Sequence, residues 1–167
     1  MSLYRILGLG VAVGALAVFG LAVARPSPVA VDAPQRPQRI VSLNLCSDQY
    51  LLELADPDQI AGVSRNATNR DISAAAAKVG KAHILSASAE EILGIEPDLI
   101  LGMPAGQGSV LTALSGRDYR TVDLKNADSY SDIVEQIRVV AAAVGHPARG
   151  EALIARMNRE LAALPRP

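Results

Sequence analysis

The most reactive side chains in this sequence are one cysteine and two histidines. Cys46 lies at a predicted strand-to-helix turn, where the N-terminus of a helix lowers the pKa of a thiol and favours nucleophilic attack. A catalytic thiol also needs a base, and neither histidine is an obvious partner, because His83 falls at a predicted strand start and His146 at a predicted helix boundary. We therefore expect Cys46 to be a small buried thiol. An enzyme that uses Cys46 ranks last among the possible functions.

The same residues argue against a resident metal or cofactor. Metal sites place their Cys and His ligands at short, recognisable spacings, and one cysteine with two isolated histidines has none. The glycines of segment 102–109 lack the Lys and following Ser or Thr of a phosphate-binding P-loop. We expect no cofactor, and we read 102–109 as a flexible loop that faces a ligand.

Polar residues that follow the predicted strands are better suited to binding. Strands are predicted at 39–45, 60–64, 82–85, 98–102 and 120–124, and the polar stretches are 45–48, 64–70, 102–109 and 125–129. If the sheet is parallel, its carboxyl ends lie at one edge, where open α/β sheets bind ligands. Each residue taken singly is better explained as a solvated loop residue, and the clustering is what favours a site. The candidate ligand-binding residues are Asn44, Cys46, Ser47, Asp48, Arg65, Asn66, Asn69 and Gln107.

The alternation of short β-type runs with helical patterns predicts an α/β fold in which helices flank a parallel sheet. Asp48 is the predicted cap of a helix over 49–55. Ser88 and Glu91 match a capping box, in which each side chain bonds to the other residue's backbone N–H, and predict a helix over 89–95.

Two further helices are predicted in the last third of the chain. Apolar residues recur at helical spacing over 133–144, with Ser129 as the cap and Gly145 as a stop signal. A last helix is predicted over 147–164, where four apolar residues lie on one stripe.

The first 24 residues bear on the compartment. Arg5 supplies a positive start, residues 6–23 carry no charge, and small residues precede the bond after Ala24, which predicts a signal peptide cleaved there. The alternative is a retained anchor, because the apolar run is nearly the ~20 residues that span a bilayer. Cys46 lies too far along the chain to carry a lipid anchor.

The remainder of the chain has the size of one domain. Because all 17 acidic residues and all basic residues except Arg5 follow Ala24, its formal net charge is −2, and nothing indicates a nucleic-acid partner. Four prolines in 25–38 predict an extended tether before the fold.

Three segments together resemble a known family. RIVSLNLCSDQYLLELADPDQIAGVS (39–64), SAEEILGIEPDLILG (88–102) and the helix that follows Ser129 are similar to the periplasmic binding proteins that deliver ferric siderophores, haem or cobalamin to ABC importers. The resemblance implies two α/β lobes that are joined by one long helix and hold the ligand between them. This chain resembles the amino-terminal lobe, 39–145, plus the interlobe helix, 146–167. We expect a truncated or split binding protein without the carboxy-terminal lobe.

The resemblance also implies a location and partners. It predicts a periplasmic protein, or one anchored in the inner membrane facing the periplasm, that has no enzymatic activity, is a monomer, and binds a metal-chelate ligand and an ABC permease. Glu90 matches the acidic position that docks onto basic residues of the permease. A carboxylate in the first turn of a helix is also favourable without any partner.

The identity of the chelate depends on weaker signals. Beyond Ala24 the aromatic residues are three tyrosines, with no tryptophan to stack on a corrin or porphyrin, which tilts the prediction towards a ferric siderophore. Arg65 and Arg70 would pair with its anionic groups. A half-cleft should bind weakly. The alternative is a tethered or free-standing interaction module with a vestigial cleft.

Overall fold

Five short strands form one parallel sheet in the computed structural model, which describes residues 36–86, 88–102, 114 and 119–165. They are β1 Ile40–Ser42, β2 Ile60–Ser64, β3 His83–Leu85, β4 Leu99–Gly102 and β5 Thr121–Asp123. Their order is β3-β2-β1-β4-β5, and every neighbouring pair is parallel. The predicted α/β fold with a parallel sheet is confirmed. The predicted signal peptide, most of the predicted tether and Gln107 lie outside the described residues.

Four α-helices are described around this sheet: α1 Leu45–Leu54, α2 Ala89–Ile95, α3 Tyr130–Ala143 and α4 Pro147–Ala162. A short 3-10 turn, Pro57–Gln59, lies between α1 and β2, and two more, Arg65–Thr68 and Ala76–Lys78, lie between β2 and β3. Among the helices of the described ranges, none combines the length and the apolar character needed to cross a bilayer.

Alternating strand residues bury both faces of the sheet. Because successive strand side chains point to opposite faces, Ile40 packs with α1, α3 and α4, whereas Val41 packs with α2. The first layer contains Leu51, Leu54, Ile137, Val140 and Ile154, and the second contains Ile92 and Leu114. The sheet is therefore covered on both faces, as parallel sheets require.

The strand order changes direction next to β1. The chain builds β2 and β3 on one side of β1 and then crosses to place β4 and β5 on the other. Loops that leave the carboxyl ends of two such strands diverge and open a crevice, which is where ligands of open α/β sheets bind. This rule predicts a crevice beyond Ser42 of β1 and Gly102 of β4. The pocket in the described residues lies beside that position, at the carboxyl ends of β1, β2 and β3.

The start of α1 differs from the prediction. The helix begins at Leu45, because the side chain of Asn44 accepts a hydrogen bond from Ser47 N at 3.1 Å and the hydroxyl of Ser47 accepts one from Asn44 N at 3.3 Å. The predicted cap, Asp48, is wrong, since it lies inside the helix. The early start also shortens the first strand, predicted at 39–45, to Ile40–Ser42.

The capping box of α2 is half confirmed. The helix has the predicted bounds, and the hydroxyl of Ser88 accepts a hydrogen bond from Glu91 N at 3.1 Å. The carboxylate of Glu91 does not return to the Ser88 backbone. It accepts hydrogen bonds from Ser86 N and Ser86 Oγ instead, both at 2.7 Å.

The last two helices agree with their predicted signals. Ser129 caps α3 in a capping box with Asp132, and Gly145 follows the helix with a φ of +86°, a conformation that favours glycine.

The described end of the predicted tether contacts the lobe. Arg36 Nη1 lies 3.1 Å from Asp56 Oδ2, and the carbonyl of Pro37 accepts a hydrogen bond from Gln59.

Candidate ligand-binding site

The candidate site begins where β1 passes into α1. Ser42 Oγ donates a hydrogen bond to Ser47 Oγ at 2.8 Å, which fixes the end of the strand against the first turn of the helix. Asp48, one residue further along α1, accepts hydrogen bonds from Ser64 N at 3.1 Å and Ser64 Oγ at 2.6 Å. The carboxyl ends of β1 and β2 are therefore held in a fixed relation by side chains below the surface.

A pocket of about 220 Å³ opens above these contacts. Its walls are Leu43, Asn44, Ser64, Arg65, Asn66 and Leu85. These residues come from the ends of β1, β2 and β3, which neighbour one another in the sheet. Three residues predicted from sequence, Asn44, Arg65 and Asn66, are thus brought together.

Other predicted binding residues lie elsewhere. Ser47 and Asp48 are fully buried, and their oxygens bond within the lobe, so the structure assigns them to its interior. Asn69 is exposed beyond the pocket, where its side-chain oxygen accepts a hydrogen bond from Asp71 N at 2.9 Å. Cys46 is exposed and does not line the pocket, so the prediction of a buried thiol is wrong. It lies in the first turn of α1, whose outer face is open to solvent.

The pocket combines one cation with polar and apolar walls. Arg65 is its charged residue, and its guanidinium donates a hydrogen bond to the carbonyl of Ser86 at 3.3 Å. Asn44, Asn66 and Ser64 supply amide and hydroxyl groups, while two leucines supply the apolar surface. Guanidinium groups pair with carboxylate-type oxygens. The arrangement therefore suits an anionic, oxygen-rich group attached to a partly apolar body.

The buried carboxylate beneath the pocket has a perturbed acidity. Burial raises the pKa of Asp48 above its ordinary value, and the two hydrogen bonds that its carboxylate accepts from Ser64 only partly oppose that shift. An isolated buried carboxylate is costly, whereas one that accepts several hydrogen bonds is tolerated. Asp48 thus acts as an internal acceptor that orients Ser64.

Three site residues were missed by sequence reasoning. Leu43, Ser64 and Leu85 line the pocket, but they were predicted as strand residues and were not among the candidate binding residues. The available signal was position, because each residue lies at or just beyond the end of a strand, at the edge where the polar residues were expected to cluster. Apolar walls are common in small-molecule sites and could have been expected there.

The two predicted loops on the far side of the sheet contribute differently. Segment 103–109 lies outside the described residues, whereas 125–129 helps to line a second pocket of about 360 Å³ between β5 and α3. Four of its nine lining residues are acidic and one is basic, and the carboxylate of Asp132 already accepts hydrogen bonds from Asp128 N and Ser129 N. Within the described ranges, no group of three or more His, Cys, Asp or Glu side chains is arranged to hold a metal ion.

Glu90 and the two histidines occupy separate surfaces. Glu90 is exposed in the first turn of α2. His83 Nε2 lies 2.6 Å from Glu91 Oε1, and His146 Nε2 lies 2.8 Å from Asp56 Oδ2. Both imidazoles therefore use Nε2 in a local contact with a carboxylate.

Comparison with known proteins identifies the family. The profile described as "Periplasmic binding protein" matches residues 40–166. The chain belongs to this family. The family assignment predicted from the sequence segments is thereby confirmed, and the parallel lobe described above is its fold.

Two relatives and one solved structure illustrate the similarity. A cobalamin-binding protein from Halobacterium salinarum is 26% identical over 138 residues, which cover 83% of this chain and 37% of that protein. An uncharacterised ABC transporter substrate-binding lipoprotein, YvrC, from Bacillus subtilis is 23% identical over 148 residues, 86% of this chain and 46% of that protein. The structure of a possible iron-binding periplasmic protein from Staphylococcus epidermidis matches with a TM-score of 0.60 at 20% identity, covering 75% of this chain and 49% of that one. The chain thus spans less than half the length of each.

Proposed function

We propose that this chain is the ligand-binding lobe of a substrate-binding component of an ABC importer for a metal chelate. The observation that carries the proposal is the convergence of Asn44, Arg65 and Asn66 on one pocket at the carboxyl edge of the sheet. The relatives support the class, because one is a cobalamin-binding protein and another an ABC transporter substrate-binding lipoprotein. Membership of a binding-protein family favours this function over an enzyme that uses Cys46.

Among metal chelates, we favour an anionic ferric chelate over haem or cobalamin. Arg65 places a guanidinium in the pocket, and the described pocket residues include no aromatic ring to stack on a flat macrocycle. The pocket of about 220 Å³ is smaller than the roughly 300–1,000 Å³ of typical ligand sites. A second surface is therefore needed to enclose a chelate, in line with the two-lobed architecture that the family resemblance implies.

The decisive experiment is a titration of the purified chain with ferric citrate, hemin and cyanocobalamin by isothermal calorimetry. We expect ferric citrate to bind saturably but weakly, with a Kd of about 100 µM or higher, because a pocket of about 220 Å³ encloses only part of a chelate. Arg65→Gln should weaken binding at least about threefold and reduce its salt dependence. Arg159→Gln, which removes an exposed arginine from α4, is the matched control.

The outcomes separate the possible functions. Saturable binding of cyanocobalamin or hemin with no response to ferric citrate would retain the transport function and overturn the choice of chelate. No saturable binding of any probe would contradict the ligand-binding function. Capture of a membrane permease without ligand would then favour the interaction module.

We further propose that the lobe acts in the periplasm and that Glu90 contacts the permease. Glu90 is exposed in the first turn of α2, where a basic partner surface can reach it. Glu90→Ala should reduce uptake of the chelate in cells while leaving the free energy of unfolding within about 0.5 kcal/mol of the parent. Transport assays with parent and variant at matched abundance test this. Equal uptake would remove Glu90 from the docking surface.

Compartment is tested separately by cell fractionation. We expect to recover the mature chain in the osmotic-shock fluid. If the signal peptide is cleaved as predicted, N-terminal sequencing should show that the chain begins at Arg25. Recovery of the uncleaved chain in the membrane fraction would support the anchored alternative.

A further inference from the structure

Arg65 is hydrogen-bonded to a group of residues that do not line the pocket. Its guanidinium donates to the carbonyl of Ser86, and the N–H and hydroxyl of Ser86 both donate to one carboxylate oxygen of Glu91 at 2.7 Å. The other carboxylate oxygen lies 2.6 Å from His83 Nε2. We call His83, Ser86 and Glu91 the β3–α2 clamp.

The sheet register explains why the clamp lies next to Arg65. In the parallel pairing of β2 with β3, Ser64 is opposite Leu85, so the next residues along, Arg65 and Ser86, leave the sheet side by side. The Ser88 cap then starts α2 so that Glu91 is in its first turn and faces back to Ser86. The clamp is thus built from strand register and helix capping together.

We propose that Glu91 is a positioning residue for the ligand-binding site and acts on Arg65 through Ser86. The proposal rests on the proposed function, in which Arg65 receives the anionic group of a chelate. Glu91 has no place in the pocket lining, so its effect on the ligand passes through the Ser86 carbonyl.

The physical reason is the entropy of a long side chain. Arg65 is exposed, and an exposed arginine that samples many rotamers must lose that freedom when it pairs with a ligand. A carbonyl fixed at one edge of the guanidinium restricts the side chain before the ligand arrives, and leaves other N–H groups for the ligand. Two hydrogen bonds to the Glu91 carboxylate hold that carbonyl in place, because both donors, the N–H and the hydroxyl, belong to Ser86 itself.

The charge state of the clamp is suited to this role. Hydrogen bonds from Ser86, followed by the contact with His83, lower the pKa of Glu91, so its carboxylate remains an acceptor across the neutral range. Glu91 is also close enough to His83 for an ion pair when the imidazole is protonated. The carboxylate is therefore occupied by its own neighbours and does not compete with the ligand for Arg65.

The first test needs no ligand. Arginine side-chain ¹⁵N relaxation and hydrogen exchange in the purified chain, with Arg65 assigned by Arg65→Lys, report how tightly its Nε–H is held. Glu91→Ala should make Arg65 markedly more mobile. Glu151→Ala, which removes a carboxylate paired with Arg138 at 2.7 Å on the α3–α4 surface, should not.

Conservative variants separate positioning from a general loss of structure. Glu91→Gln keeps an acceptor oxygen for Ser86 and should restore most of the order of Arg65. Ser86→Ala removes the hydroxyl but keeps the backbone carbonyl and the N–H donor, so it should increase the mobility of Arg65 by less than Glu91→Ala does. It serves as the test if Glu91→Ala fails to fold. Unchanged Arg65 dynamics in folded Glu91→Ala, or in folded Ser86→Ala if Glu91→Ala does not fold, overturns the proposal.

The second test measures coupling to the ligand with ferric citrate as the probe. Glu91→Ala should weaken binding by about three- to tenfold in the parent and by less than about 1.5-fold in the Arg65→Gln background. Equal losses in both backgrounds would show that Glu91 does not act through Arg65. If the parent chain binds no probe, the proposed function fails, and the ligand-free measurements alone decide the positioning role.

Discussion

Asp48 joins α1 to β2 through the two hydrogen bonds that its carboxylate accepts from Ser64. Ser64 is the last residue of β2 and lines the ligand pocket beside Arg65. Its orientation therefore depends on a residue that no ligand can reach. Burial raises the pKa of Asp48, so the folded state binds this proton more tightly than the unfolded state does. The contribution of Asp48 to the free energy of unfolding therefore falls as the pH rises from the ordinary aspartate pKa through the higher folded value.

Substitutions at Asp48 should separate its hydrogen bonds from its charge. Asp48→Ala leaves the Ser64 N–H and hydroxyl without their acceptor and should lower the free energy of unfolding by about 1–3 kcal/mol at pH 7. Asp48→Asn keeps an acceptor for the N–H and removes the cost of a buried charge, so its loss should be smaller. Urea unfolding of the three proteins measures both. An asparagine variant as unstable as the alanine variant would contradict the hydrogen-bond explanation.

Helices α3 and α4 approach each other closely where Gly150 meets Ala141. A Cβ atom built on Gly150 would lie 2.6 Å from the Cβ of Ala141, closer than two carbon atoms can pack. Gly150 is buried, and Ile154, one turn further along α4, is also in the core. The glycine therefore allows the two helices to approach each other this closely.

Replacement of this glycine should be destabilising even though alanine is the better helix former. Gly150→Ala should lower the free energy of unfolding by about 1–3 kcal/mol, because the helices must separate. Gly94→Ala in α2 is the control, since nothing lies within 4 Å of its added Cβ. It should stabilise by up to about 1 kcal/mol. Thermal unfolding followed by circular dichroism compares them, and a stabilised Gly150→Ala variant would disprove the close contact.

The elements show what could be predicted from sequence and what could not. Ile60–Ser64 and Ala89–Ile95 were predicted with their observed bounds, because turn residues and a serine cap mark their ends. The start of α1 was wrong because Asn44 and Asp48 are both good caps, and only the folded backbone decides between them. The carboxyl edge was correctly expected to gather Asn44 and Arg65. That edge also contains Asp48, and sequence alone does not reveal which side chains turn inward.

One carboxylate connects the beginning of the described chain to the start of its last helix. Asp56 lies within 3.1 Å of Arg36 Nη1, 2.8 Å of His146 Nε2 and 2.6 Å of Arg149 Nη2. Arg149 also donates a hydrogen bond to the carbonyl of Leu54 at the end of α1. These contacts tie the entry segment, α1 and the start of α4 together at the edge opposite the ligand pocket.

The pH dependence of stability should reflect this and similar contacts. The Arg149 hydrogen bond is the main cause that lowers the pKa of Asp56, and local hydrogen bonds likewise lower the pKa values of three other carboxylates, Glu91, Asp132 and Glu151. A carboxyl whose folded pKa is lowered binds fewer protons in the folded state than in the unfolded state. Its stabilising contribution is therefore present above about pH 4.5 and is lost as the pH falls further.

We expect the melting temperature to be nearly constant from pH 8 to about pH 5 and to fall steeply between about pH 4.5 and 3. Asp56→Asn should melt at a lower temperature than the parent at pH 7, because the charged acceptor of two arginines and His146 is lost. Its acid-induced decrease should be shallower, so that the two curves approach each other as the pH falls through the lowered pKa of Asp56 and the parent's carboxylate becomes protonated. Circular dichroism melts at low ionic strength measure both curves.

Parallel curves would show that Asp56 does not contribute to acid sensitivity. A melting temperature that rises on acidification would mean that the effect of the raised pKa of Asp48 on stability outweighs the effect of the four lowered carboxylate pKa values.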